Sequence, residues 1–192
     1  MRWRTVAAGV FAVTAMSAIG GAQTVQTFED FNPCDNTPDN VGLYGGVNYL
    51  NQWTCYGFSQ PPFTPQSGTN RVYAALGGSN SNSASFSFAA TTFAGAWFSG
   101  SATVNFQLFF LGNPVATSGP LSTSGTPSFL GSGYSGLVDR VTVNGNSIQW
   151  VMDDVTFGAA VTSTPEPATI ALLGSGLLAI GALARRRRRA SE

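Results

Sequence analysis

Between residues 23 and 162, apolar and polar side chains alternate in short runs. The stretch "SASFSFAA" sets Phe86 and Phe88 on one face of an extended chain, and "ATVNFQLFFL" does the same for Val104, Phe106, Leu108 and Phe110. Successive side chains of a strand point to opposite faces, so a period of two marks strands with one buried face. The stretch is rich in Gly, Ser, Thr, Asn, Phe and Val and poor in the strong helix formers. Gly77-Gly78, Gly112-Asn113 before Pro114, and Asn144-Gly145 punctuate the runs as turns. "LVDRVTV" and "SIQWVMDDVTF" flank Asn144-Gly145, the pattern of a hairpin closed by a type I′ turn. About eight to ten short strands joined this way predict an all-β domain, an antiparallel sandwich over residues 23–162.

The two ends follow other patterns. Residues 1–22 begin with the cationic "MRWR", continue as the apolar "TVAAGVFAVTAMSAI" and close on "GGA" before Gln23. That order is a secretory signal peptide, with a cut expected after Ala22 or nearby; the apolar part is shorter than the roughly 20 residues a spanning helix needs. Residues 163–192 hold an apolar run that ends in Arg185, Arg186, Arg187, Arg188 and Arg189. From Ile170 to Ala184 the chain carries no charge. Counted from Pro167 the run is about 27 Å long as a helix, enough for a thin bilayer. Pro165 and Pro167 mark the helix start, and the arginines, costly to move through lipid, stay on the cytoplasmic side.

Charge sharpens this division. Of nine basic residues, all arginine, only Arg71 and Arg140 lie in the body, against seven carboxylates, which leaves residues 23–164 at net −5. Such a body without a basic patch excludes nucleic acid as a partner. The terminal arginines are therefore topological signals. Cys34 and Cys55 both lie in the exported part and are expected to pair as a disulfide.

"TPEPATIALLGSGLLAIGALARRRRR" resembles the PEP-CTERM sorting tail of exported bacterial proteins. Pro165, Glu166 and Pro167 fill the signature, an apolar helix over 168–184 contains glycines at 174, 176 and 181, and the arginine cluster closes it. The resemblance implies recognition and cleavage by an exosortase at the membrane. It also implies a Gram-negative-type bacterium in which such proteins accompany exopolysaccharide, and a final place at the cell surface or in the extracellular matrix. A permanent membrane anchor is the alternative fate of the same tail.

The chain has no histidine, so Ser-His-Asp and Cys-His catalysis are excluded. A glycosidase needs two carboxyl groups about 5 to 10 Å apart, and Glu29 or Asp30 with Asp153 or Asp154, together with Asp139, supply candidates. "QTFEDF" and "WVMDDVTF" are similar to the terminal strands of jelly-roll carbohydrate-binding and galactose-binding-like domains. That likeness implies a jelly-roll-like sandwich and a structural calcium held by Glu29, Asp30, Asp153 and Asp154. Among the aromatics, Trp53, Tyr56 and Trp97, with Tyr44 and Tyr49, are candidates to stack on sugar rings if they line an exposed surface, with core packing the alternative for most of them. The expectation is a non-enzymatic exported protein that contacts polysaccharide; a secreted glycan-active enzyme is the rival.

Intact-mass analysis of the protein from its native host is expected to show loss of residues 1–22, cleavage at the Pro165–Pro167 signature and the mass deficit of one disulfide. A full-length, reduced polypeptide in the cytosol contradicts this reading.

Overall fold

A computed structural model describes residues 23–158, apart from 77–78 and 147–148. The expected signal peptide, membrane helix and sorting signature lie outside the described residues. Among the described residues fifteen strands follow one another, several only two or three residues long. They are β1 (Thr24–Gln26), β2 (Asp35–Asn40), β3 (Leu43–Tyr44), β4 (Val47–Asn48) and β5 (Trp53–Tyr56). Next come β6 (Arg71–Leu76), β7 (Ser79–Asn80), β8 (Ser83–Thr91), β9 (Phe93–Gly100) and β10 (Thr103–Phe110). The last are β11 (Asn113–Thr117), β12 (Leu121–Ser122), β13 (Ser128–Gly131), β14 (Val138–Asn144) and β15 (Trp150–Phe157).

Two antiparallel sheets result. The eight-stranded sheet runs β13-β9-β15-β6-β5-β2, with β1 added on β15 and β7 on β6. The seven-stranded sheet runs β11-β10-β14-β8-β4-β3, with β12 on β10. The sandwich expected from the alternation is therefore present, and the first and last strands meet, with Thr24 opposite Phe157.

The core lies between the sheets. Val104, Phe106 and Leu108 of β10 face inward as the pattern predicts, beside Ala84 and Phe86 of β8 and Val141 and Val143 of β14. From the other sheet come Trp53, Phe93, Phe98, Trp150 and Met152, each almost fully removed from water. Rings interlock across the gap, with Trp53 6.0 Å from Phe86 and Phe93 5.0 Å from Phe106, and within the eight-stranded sheet Trp53 lies 5.8 Å from Trp150, all edge to face. Such pairs add about 0.5–1.5 kcal/mol each beyond burial. Phe110 does not follow its strand into the core: the β10–β11 pairing shifts register at Leu108/Phe109 and leaves Phe110 half-buried.

The hairpin expected at Asn144-Gly145 is not formed. β14 and β15 belong to different sheets, so this segment is a crossover between layers. Both flanking strands carry core side chains, and only by parting can Val141 and Val143 face Trp150 and Met152 across the gap. Gly145 fits because a Cβ there would stand 2.9 Å from both Trp150 Nε1 and Val104 Cγ1. The two-residue hairpin turn is instead Leu111-Gly112, which joins Phe110 to its partner Asn113 with φ of +50° and +79°. Two left-handed residues in sequence are the type I′ signature, and leucine is a poor occupant of it.

Cys34 and Cys55 are bonded and tie β2 to β5. Their separation of 21 residues gives a loop whose closure restricts the unfolded chain by about 3 kcal/mol. The double variant Cys34→Ser/Cys55→Ser is expected to lose that amount in a denaturant titration; an unchanged midpoint contradicts it.

Candidate functional site

The outer faces of the two sheets differ. On the eight-stranded sheet, residues 57–70 form a strap across the outward side. Arg71 fastens both of its ends, through Nη2 to Phe58 O (2.6 Å) and Nη1 to Thr69 O (2.8 Å), while its guanidinium lies 4.1 Å over the Tyr56 ring. Ser99 Oγ donates to Thr64 O (2.6 Å). Asp153 Oδ2 accepts the N–H groups of Gln66 (2.8 Å) and Ser67 (3.0 Å), and its Oδ1 accepts that of Asp154. Ser67 Oγ reaches Asp154 Oδ1 (2.7 Å), and Glu29 Oε1 takes the N–H groups of Thr69 and Asn70. Gly68 sits between these two clasps at φ +48°, where a Cβ would lie 2.1 Å from Glu29 Cδ, so only glycine fits.

The four carboxylates expected to share a calcium ion thus have other partners. Glu29, Asp153 and Asp154 clasp the strap, and Asp30 accepts the Tyr44 hydroxyl. Calcium needs six to eight oxygens turned toward one point. Here Asp153 and Glu29 face backbone N–H donors, and among the described residues no group of three or more Asp, Glu, Cys or His side chains is close enough to hold a metal ion. This donor set does not fit calcium. Beside the disulfide, Glu29, Phe31, Asp35, Phe58 and Asn70 line an open cleft of about 590 Å³.

The aromatic candidates also separate. Trp53 is a core residue, fully buried, with Nε1 donating to Ser85 O (2.9 Å), so it does not contact a glycan. Every side chain of β5 is buried, because the core covers one face and the strap the other. For the same reason Tyr56 is 3% exposed and packs on Arg71, Phe58 and Tyr73. Tyr49 is likewise buried, and Tyr44 is half-buried against Phe28. Trp97 alone of the three named candidates keeps an accessible ring, 5.6 Å from the exposed Phe129.

Among the described residues, no strap lies across the outer face of the seven-stranded sheet. Its side chains form three rows in register across β10, β14 and β8. The first row is Asn105, Asn144 and Ser83, and the second is Gln107, Thr142 and Ser85. The third is Phe109, Arg140 and Ser87, continued by Asn48 and Leu43. Asn144 Nδ2 donates to Asn105 Oδ1 (3.0 Å), Ser85 and Thr142 hydroxyls lie 2.8 Å apart, and the Arg140 guanidinium stands 4.0 Å over the Phe109 ring. No acidic side chain interrupts the rows. Amides and hydroxyls both donate and accept, and the guanidinium donates, which together suit a polyhydroxylated ligand. Sequence reasoning passed over these residues, although they are the polar alternates between the core positions that defined the strands.

Comparison with known proteins adds the address. Residues 163–189 match the family model of the PEP-CTERM protein-sorting motif. The chain therefore carries the sorting signal of an exported protein directed to the cell envelope, and the signal implies an exosortase as processing partner. No curated protein matches the chain in sequence. Solved structures similar to it include two point mutants of the family 29 carbohydrate-binding module CBM29-2. One is 12% identical over 78% of this chain and 93% of the other, with a TM-score of 0.42; the second is 11% identical over 72% and 92%, at 0.38. A third is TmCBM61 in complex with β-1,4-galactotriose, 15% identical over 69% and 97%, at 0.33.

Burial raises the Asp153 pKa from its ordinary value to about 7, against the lowering effect of the N–H donors. A carboxyl whose pKa is higher in the folded chain holds its proton there after the unfolded chain has lost it. Its contribution to stability is complete below the ordinary value near 3.8 and is lost as pH rises through about 7. Unfolding free energy is expected to fall by on the order of a few kcal/mol between about pH 4 and about pH 7 and to level off above that. Asp153→Asn, which cannot ionise, is expected to flatten that dependence; an identical slope in the variant contradicts the assignment.

Proposed function

We propose that the chain is an exported, non-enzymatic protein of the cell surface or extracellular matrix of a Gram-negative-type bacterium, and that it binds exopolysaccharide on the open face of its seven-stranded sheet. The observation that carries this reading is the in-register array of Asn105, Gln107, Thr142, Arg140 and their neighbours. Amides and hydroxyls meet sugar hydroxyls as donors and acceptors, Arg140 supplies fixed donors, and Phe109 offers an apolar surface to C–H groups. The sorting tail places this surface outside the cell, where such polymers accumulate, and exosortase cleavage at Pro165, Glu166 and Pro167 releases it from the membrane.

Two features favour binding over hydrolysis. Asp153 is the acid whose raised pKa suits a proton donor, yet it is 2% exposed beneath the strap. Its two oxygens already accept three N–H groups, which leaves it no approach to a glycosidic oxygen. Cleavage of the tail is favoured over permanent anchoring by the Pro-Glu-Pro signature that precedes the apolar run.

Affinity electrophoresis of the full chain through gels loaded with neutral and acidic polysaccharides tests both parts. Retardation by at least one polymer is expected. Gln107→Ala with Thr142→Ala, and Arg140→Ala separately, are each expected to weaken it roughly three- to tenfold, the worth of one or two lost hydrogen bonds. No retardation by any polymer contradicts the function, unchanged retardation of the variants contradicts the site, and release of sugar favours the enzyme.

A further inference from the structure

Strand registers gather five segments at one end of the sandwich. Gly158, where the described chain leaves β15, donates its N–H to Thr92 O (2.8 Å) in the β8–β9 turn. Thr91 pairs with Val138, which sets Leu137 beside that turn. Asp139 Oδ2 accepts the N–H of Leu111 (2.8 Å) at the tip of the β10–β11 turn. On the other side, Thr24 pairs with Phe157 and places Val25 next to the exit. Leu111, Leu137 and Val25 are 74%, 49% and 49% exposed, among the most exposed large apolar side chains of the described residues. Ala89 and Ala90 are exposed beside them.

The only charged side chain in these segments is Asp139, and its carboxylate is turned to a backbone N–H. Leu111 also holds a left-handed φ that favours Asn, Asp or Gly, with its side chain in solvent. A bulky apolar residue at a turn tip serves neither the turn nor the core. The connections at the opposite end are polar, including Ser81-Asn82 and Asn144-Gly145-Asn146.

We propose that this end is a membrane-facing surface: in the precursor, Leu111, Leu137 and Val25 enter the boundary between headgroups and acyl chains of the bilayer that holds the sorting tail. The inference rests on reading residues 163–189 as a membrane-inserted tail. Only nine residues lie between Gly158 and the apolar run at Ala168, a reach of about 35 Å at most. The body is thus held at the bilayer by the very end that carries the apolar tips. A short tether sets an effective concentration on the order of millimolar, so weak apolar contact is enough to dock a tethered surface. Docked this way, the strands run away from the bilayer and the polar face of the seven-stranded sheet stands open to polymer.

The test uses the full-length precursor in phosphatidylcholine vesicles brominated near the headgroup end of the acyl chains. Leu111→Trp and, independently, Leu137→Trp are expected to lose emission to bromine beyond the loss in the parent chain, while Asn82→Trp at the far end is not. Loss at all three positions alike, or none at 111 and 137 in chains that float with the vesicles, overturns the docking. Shielding at 111 that grows with the protein-to-lipid ratio assigns the surface to a second copy and overturns it as well. A chain that does not float overturns the tail reading itself, and the docking falls with it.

Discussion

Everything in this fold follows from the aromatic wall between the sheets. Trp53, Trp150, Phe86, Phe93 and Phe106 interlock edge to face, and burial of each is worth about 1.5–3 kcal/mol. A strand that turns one side chain into that wall must turn the next one out. Phe86 therefore fixes the outward direction of Ser85 and Ser87, Phe106 that of Asn105 and Gln107, and Val141 with Val143 that of Thr142. The polar rows are the reverse side of the core, and their register is the register of the core.

The same constraint applied to the other sheet gives a different surface, because a second layer covers it. The outward side chains of β5, β6 and β15 include Thr54, Arg71 and Asp153, polar groups that water alone does not serve once residues 57–70 lie across them. Burying Arg71 and Asp153 is tolerated because each is met by backbone groups of the strap: carbonyls for the guanidinium, N–H groups for the carboxylate. The strap thus consumes one face as structure and leaves the other for contact. That asymmetry separates the acidic residues, which fasten a loop, from the amides and hydroxyls, which remain accessible.

Period-two alternation made the sandwich and most of its core legible in the sequence, since Phe86, Val104, Phe106 and Leu108 each needed only a neighbour two positions away. Strand partners were less legible. Asn144-Gly145 has the composition of a tight hairpin, but β14 and β15 find their partners in different sheets, a decision made by residues from 31 (Phe109 with Arg140) to 64 (Phe93 with Phe157) positions distant. Whether Trp53 and Tyr56 face solvent or core was not legible, because β5 is buried on both faces and so has no alternation to read. The carboxylates looked like cation ligands for a similar reason: nothing local announces that residues 66–70 will supply their N–H groups. The sorting motif at 163–189, whose features are ordered along the chain and depend on no distant contact, was legible without the fold.

The central claim is that the open sheet face, and not the strap, the cleft beside the disulfide or the Trp97–Phe129 pair, meets the polymer. Amide hydrogen exchange of the full chain, with and without a retained polysaccharide, addresses it residue by residue. The account predicts slowed exchange in β8, β10 and β14 around Ser85, Gln107 and Thr142, with residues 57–70 and β13 unchanged. Protection confined to the strap, the cleft or β13, or protection nowhere, would contradict it.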